Sequence, residues 1–339
     1  MLAKIMSRGQ YPPMLLFYTN NAWSLYSITE NKVLETQLHV PNIYKRFCGS
    51  SKGWLIAMDD NFGVNLINPF LRMKGRKPKE NSIIHLPPLN PPFTATAREF
   101  WRTNYEQVVF KATITADPIL NPDDCIVVVI YVDLWRLAFI RLNKDISWTY
   151  MTKDYTTIEE VAYVDRKFYV VDHRSKLLCF DIAGKFNSDV ESIAYGVERN
   201  QPGLAKIYLV DSNDGELLLV HRYVDSQWQR RETKKFRVLA FDFATLQWME
   251  KNTLGEVALF LGDNSSMRVS APRFSGCESD HIYFTDDQDR VDDTRKPRDF
   301  GVYNYGNHKF SVSDNSQVMK VMKRTNRYPI WVVPTIYQF

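Results

Sequence analysis

The chain has 339 residues, 43 basic and 39 acidic side chains, a net charge of +4 and 45% hydrophobic residues; so mild a charge excludes nucleic acid or a membrane surface as a partner read from charge, and the apolar content excludes disorder. Cys48, Cys125, Cys179 and Cys277 lie far apart with no C-x-x-C pair, which excludes a zinc ligand set or disulfide framework and predicts buried, reduced thiols. The longest plain apolar run, residues 126–132, falls well short of the ~18 residues that cross a bilayer.

Along the chain, residues 1–12 read as a short leader without the apolar stretch of a secretory signal, and residues 13–339 as one domain. Met14-Leu15-Leu16-Phe17-Tyr18 is strand-like. From there an apolar run is followed five times, across a short polar turn, by a second β-rich run ending in an acidic, Asn or aromatic residue. The first runs are residues 53–59, 125–132, 167–172, 216–223 and 281–286; their partners are 64–68, 137–140, 177–181, 239–242 and 301–304. Two partners share a signature, Leu137-Ala138-Phe139 with Trp148 and Leu239-Ala240-Phe241 with Trp248. Between the first two pairs, residues 94–106 carry a helical spacing, with Ala97, Phe100, Trp101 and Tyr105 on one side, inside an inserted loop at about residues 90–106. The chain ends on a strand-like Ile330-Trp331-Val332-Val333.

Short β-branched and aromatic runs separated by Asn, Asp, Gly and Ser turns predict an all-β protein. A pair of strands cannot cover both of its own faces, so repeated pairs must stack, and radial closure does this with few exposed edges. The expectation is a kelch-like β-propeller. At ~40–50 residues per blade the length suits six blades, with five to seven compatible. The two strand-like termini are expected to share one blade and close the ring.

Gly49-Ser50-Ser51-Lys52-Gly53 has the letters of a nucleophile elbow, which would make Ser51 a nucleophile, but an elbow needs a helix after the serine and an apolar strand follows instead. A tight turn with Gly49 and Gly53 supplying permissive backbone is the simpler reading. Residues 286–293 are acidic, yet counted from Asp287 the sixth and twelfth positions are Asp292 and Arg298 rather than the Gly and Glu of a calcium loop. The six histidines show no ligand spacing, so neither metal nor cofactor is expected. Trp54, Trp148, Trp248 and Trp331 are read as packing between blades, with an aromatic ligand cage as the alternative. Asn264-Ser265-Ser266 is a formal glycosylation sequon that more simply forms a turn. The densest basic cluster, Arg72, Lys74, Arg76, Lys77 and Lys79, is a solvated loop, a nuclear import signal, or a rim patch that contacts an acidic partner protein.

Gly49-Ser50-Ser51-Lys52-Gly53-Trp54-Leu55, Leu66-Ile67-Asn68-Pro69, Leu86-Pro87-Pro88-Leu89, Asn121-Pro122-Asp123-Asp124-Cys125, Ala258 to Ser266 and Ile282-Tyr283-Phe284-Thr285-Asp286-Asp287 together resemble the KIB-type β-propeller of plant F-box proteins, from about residue 14 to the end. That resemblance implies the target-holding part of an SCF ubiquitin ligase receptor: a non-enzymatic, monomeric interaction module, cytoplasmic or nuclear, that binds a protein target. An F-box, which docks a Skp1-like adaptor, takes ~40 residues of short helices, whereas the first strand here begins by about Met14. Adaptor binding is therefore expected only if an F-box lies outside this chain. Two alternatives stand beside this reading: a decoy that binds targets without ligase coupling, and a hydrolase using the central channel of the propeller.

Overall fold

A computed structural model describes residues 11–19, 22–34, 38, 40–41, 44, 46–71, 82–90, 94–105, 108–131, 136–151, 158–180, 191–195, 202–211, 215–225, 232–274, 276–286, 299–311, 320 and 327–335. Their strands form six sheets. Blade 1 contains β1 (Met14–Thr19), β2 (Ala22–Ser27) and β3 (Lys32–Leu34). Blade 2 is β4 (Gly49–Ser51), β5 (Trp54–Met58), β6 (Gly63–Ile67) and β7 (Ile83–Pro88). Blade 3 is β8 (Val109–Ile114), β9 (Ile126–Tyr131), β10 (Arg136–Arg141) and β11 (Thr149–Tyr150). Blade 4 is β12 (Ile158–Val164), β13 (Lys167–Asp172), β14 (Lys176–Phe180) and β15 (Glu191–Tyr195). Blade 5 is β16 (Leu204–Asp211), β17 (Leu217–Asp225), β18 (Glu232–Asp242) and β19 (Gln247–Glu250). Blade 6 holds β20 (Val257–Gly262), β21 (Ser265–Ser270), β22 (His281–Phe284), β23 (Gly301–Asn304) and β24 (Lys309–Phe310).

The last strand, β25 (Ile330–Val332), pairs with β1 in the register Met14 with Val332, Leu15 with Trp331 and Leu16 with Ile330. It is the innermost strand of blade 1. The inner strands β25, β4, β8, β12, β16 and β21 then touch in turn around a closed circuit, so the wheel has six blades and the two ends of the chain close it.

Strand alternation explains why the apolar runs are nearly unbroken. Successive side chains of a strand point to opposite faces, and in a wheel each face meets another blade. Thus Leu55 and Ala57 enter the cluster shared with blade 1, while Trp54, Ile56 and Met58 enter the one shared with blade 3. Six apolar clusters result, one at each junction between neighbouring blades. Trp54 and Trp331 are wholly buried in such junctions, with Trp148 nearly so and Trp248 at the margin of another, so these rings pack blade against blade. Trp148 Nε1 donates to Pro87 O across the junction of blades 2 and 3 (2.7 Å).

Blade 6 departs from the simple repeat. Its sheet order is β21-β20-β22-β23-β24, with β20 and β22 parallel. The innermost strand is therefore reached through a backward hairpin, whose turn at Asp263 and Asn264 carries the sequon. Asn264 is buried there, its Nδ2 donating to Phe47 O (2.8 Å).

One helix, α1 (Ala95–Thr103), lies between β7 and β8, capped by Thr94 Oγ1, which accepts from Ala97 N (3.2 Å). Trp101 and Tyr105, four residues apart, pack on the junction of blades 2 and 3. Phe100 does not join them; one residue is a 100° step around a helix, and its ring is 58% exposed.

Candidate interaction surface and axial channel

Ser51 sits at the end of β4, and the strand β5 follows directly after Lys52 and Gly53. Its Oγ donates to Ile114 O (3.2 Å), which is a structural tie. Gly53 has φ +81°, as a tight turn requires, whereas Gly49 is needed for a different reason: a Cβ there would overlap the carbonyl oxygen of Ala112. The basic cluster Arg72, Lys74, Arg76, Lys77 and Lys79 lies outside the described residues, as does the acidic stretch from Asp287 to Asp293. Among the described residues no group of three or more His, Cys, Asp or Glu is placed to hold a metal ion. Cys48 and Cys125 are buried and Cys179 and Cys277 only partly so; burial pushes the Cys125 thiol up to about 12 and that of Cys277 up to about 11, which keeps both protonated and unreactive.

The turns that follow each inner strand gather on one rim. Trp54 Nε1 donates to Asp117 Oδ2 (3.3 Å), joining the first turns of blades 2 and 3, and Gly215 of blade 5 lies against the Asp165 carboxylate of blade 4. Because antiparallel strands alternate in direction, the turn between the third and fourth strands emerges on this same rim. Three turns here are each braced by an aspartate. Asp117 Oδ1 accepts from Ile119 N and Leu120 N (2.8 and 2.9 Å). Asp145 accepts from Arg141 N and from Arg141 Nη2 (both 2.8 Å); burial alone would raise its carboxyl, but the hydrogen bonds and charge of Arg141 outweigh that and hold it low. Asp242 accepts from Thr245 Oγ1 (2.7 Å) and Ala244 N (2.9 Å), which likewise hold its carboxyl low.

Among the residues these braced turns expose are four large apolar ones: Leu120 is 61% exposed, Ile146 94%, Phe243 39% and Leu246 48%. Leu246 has φ +56°, a left-handed conformation that costs a branched side chain roughly 1–2 kcal/mol. The opposite rim uses the same device with different cargo. Asp59 Oδ1 accepts from Asn61 N and Gly63 N (3.0 and 2.8 Å), and Asp172 Oδ1 from Arg174 N and Lys176 N (both 2.8 Å), but these two turns expose Asp60, Asn61 and Arg174.

On the axis, three neighbouring inner strands bring buried charges together. Lys111 on β8 forms an ion pair with Glu160 on β12, with Glu159 on β12 and Lys206 on β16 also buried. Burial raises the Glu160 carboxyl, and the charges of Lys111 and Lys206 only partly offset it. Burial raises Asp211 too, against the pull of Lys52 and Lys111. The Lys111–Glu160 pair ties β8 to β12, and the charges of Lys206 on β16 and Glu159 act on the same carboxyl. A second buried cation, Arg222, joins blades 5 and 6 through Asp299 Oδ2 (2.9 Å), Thr233 Oγ1 (2.8 Å), Tyr208 OH (3.0 Å) and Thr285 O (2.7 Å). Sequence reasoning missed these residues. Their signal was a charge set inside an apolar strand, as in Val109-Phe110-Lys111-Ala112 and Ile158-Glu159-Glu160-Val161.

Comparison with known proteins places this geometry among relatives. The model of the KIB1-4 beta-propeller family matches residues 25–304. Three proteins of Arabidopsis thaliana are similar: the putative F-box protein At5g60060 (28% identical, covering 51% of this chain and 44% of the relative), the F-box protein SKIP23 (22% identical, 85% and 75%) and the F-box protein At2g26160 (23% identical, 76% and 81%). The chain thus spans less than half the length of the first of these. The Cps50 (Swd1) β-propeller domain of Myceliophteria thermophila is also similar, at 9% identity and a TM-score of 0.41 over 90% of this chain and 86% of that one.

Proposed function

We propose, from the premise that the chain belongs to the KIB1-4 β-propeller family, that it is a non-enzymatic module that holds a protein target, as the corresponding part of plant F-box receptors would. The observation that carries this reading is that the charges of the inner strands are used internally: Lys111 and Glu160 form a buried ion pair between blades 3 and 4, which leaves the outer surface of a rigid wheel for contacts. Loops on such a scaffold vary without disturbing the packing between blades. Delivery of the target to an SCF ligase through a Skp1-like adaptor belongs to this proposal only for a product carrying an F-box beyond these 339 residues. The site of action proposed is the cytoplasm or nucleus; among the described residues no helix is long and apolar enough to cross a membrane.

Affinity capture from plant extract, followed by reconstitution with the purified captured protein, tests the reading. A stoichiometric complex that persists in Glu160→Gln is expected, because that side chain is wholly buried and out of a partner's reach. Covalent labelling of Ser51 by a fluorophosphonate probe, or turnover lost in Glu160→Gln, would replace the binding module with an enzyme.

A further inference from the structure

We infer that the rim of aspartate-braced turns is the docking face, and that it takes a protein segment combining aliphatic or aromatic side chains with lysine or arginine. The inference rests on the reading of the chain as a target-binding module and says which surface binds and what it binds.

Four large apolar side chains, Leu120, Ile146, Phe243 and Leu246, stand exposed on turns that their own hydrogen bonds already fix. A side chain held in place before binding loses little freedom on binding, so rigid turns convert apolar contact into affinity efficiently. The turns of Leu120 and Ile146 are tied to each other by Lys144 Nζ, which donates to Asp123 O (2.7 Å), so blade 3 presents them as one unit. The two braced turns described on the other rim expose Asp60, Asn61 and Arg174, so bracing does not by itself bring apolar exposure.

Charge chooses the partner. Around the Leu120 and Ile146 unit, Asp117 and Asp145 are engaged within their own turns, and Arg141 is engaged by Asp145. Asp123 and Asp124 are exposed and, among the described residues, form no ion pair; Lys144 is the cation beside them. Among the described residues around this unit the surplus is acidic, so a basic segment is favoured and an acidic one repelled.

A library of random dodecapeptides displayed on phage and panned on the full chain supplies the probe. Selected peptides are then measured by fluorescence anisotropy against three double variants, each checked by its melt: Leu120→Asp with Ile146→Asp, Asp123→Lys with Asp124→Lys, and Asn61→Lys with Arg174→Glu. Peptides rich in Leu, Ile, Phe, Lys and Arg are expected, losing about tenfold or more in affinity with the first pair, as removal of central apolar anchors does. The second pair should weaken binding and reduce its salt dependence, and the third should leave it unchanged. Loss confined to the third pair would overturn the choice of rim while leaving the binding module intact, and selection of acidic peptides would overturn the partner chemistry. If no peptide is enriched over an unrelated control protein and capture also yields no complex, the underlying reading itself fails.

Discussion

The inner ring is built from two unlike halves. Across blades 3, 4 and 5, β8, β12 and β16 meet through the buried charges of Lys111, Glu159, Glu160 and Lys206. Across blades 6, 1 and 2 the contacts around β21, β25 and β4 are mostly apolar and neutral: Trp331 N donates to Ser265 Oγ (3.1 Å), Trp331 Nε1 to Leu261 O (3.0 Å), and Asn68 Nδ2 to Thr335 Oγ1 (3.1 Å), with one ion pair, Arg46 with Asp263 (3.1 Å), beside β4 and β21. The apolar half contains the only junction between chain ends among the described strands, and β25 offers just three residues for pairing. So short a ladder cannot hold the wheel shut alone. Closure depends on side chains, and the apolar, hydrogen-bonded Trp331 is the side chain that reaches blade 6. The charged half joins blades that follow one another along the chain, so it can carry groups whose burial is costly.

If that division of labour holds, deletion of residues 330–339 should have the largest effect: it removes the inner strand of blade 1, and the whole wheel should lose its cooperative melt. A truncated protein with an unchanged thermal transition would refute closure by the termini. Trp331→Ala comes next, at about 3–5 kcal/mol for a wholly buried aromatic, measured by urea denaturation. In the charged half, Glu160→Ala should destabilise by about 3–5 kcal/mol, because it strands the Lys111 ammonium in the interior. Replacing both partners, Lys111→Met with Glu160→Leu, should restore most of that loss. A double variant as unstable as the single one would show that the charged half is not a dispensable pair but part of the closing machinery.

How much of this was legible in the sequence differs between the halves. The apolar strands, the turns and the role of the terminal runs could be read because alternation and turn residues are local, and the fully buried strands announce themselves as unbroken apolar runs such as residues 126–131. The backward hairpin of blade 6 could not be read, since β20 and β21 look like any antiparallel pair and only the wheel decides which lies innermost. The basic cluster at Arg72 to Lys79, which lies outside the described residues, was conspicuous as a charge run, while the apolar residues of the braced turns passed unnoticed: a lone Ile146 in a polar turn has no periodic signature. The axial charges were hidden for the opposite reason, because pairing across blades joins residues 49 positions apart, such as Lys111 and Glu160, and no local pattern encodes that distance.

Arg327 adds a cationic contact to the closing strand. Just before β25, its guanidinium lies 3.5 Å from the centre of the Tyr18 ring and 5.5 Å from that of Trp23, and its Nη1 donates to Tyr44 O (2.5 Å). It latches the closing strand onto blade 1 by a cation over aromatic faces, so Arg327→Ala should cost about 1–2 kcal/mol. Its loss should show first as faster amide exchange in β25 and β1; exchange that quickens in blade 4 instead would place the latch elsewhere.

The weakest expected effect separates the halves by pH. Glu160 holds its proton to higher pH in the folded wheel than its ordinary value of 4.5, because burial outweighs the attraction of Lys111 and Lys206. Below that ordinary value the group is protonated in both states and contributes no pH dependence. As pH rises past it, the unfolded chain releases the proton first, so the folded state binds more protons and stability falls until the folded group also ionises. Asp211, raised in the same sense from 3.8, adds to the trend at its lower end. The melting temperature of the native sequence relative to Glu160→Gln should therefore decline through this acidic window and then level, while the Trp331→Ala difference, which involves no titrating group, stays flat over the same range. Parallel curves for all three proteins would mean that Glu160 ionises in the folded wheel as it does in the open chain, and that the charged half is solvated in a way its burial does not allow.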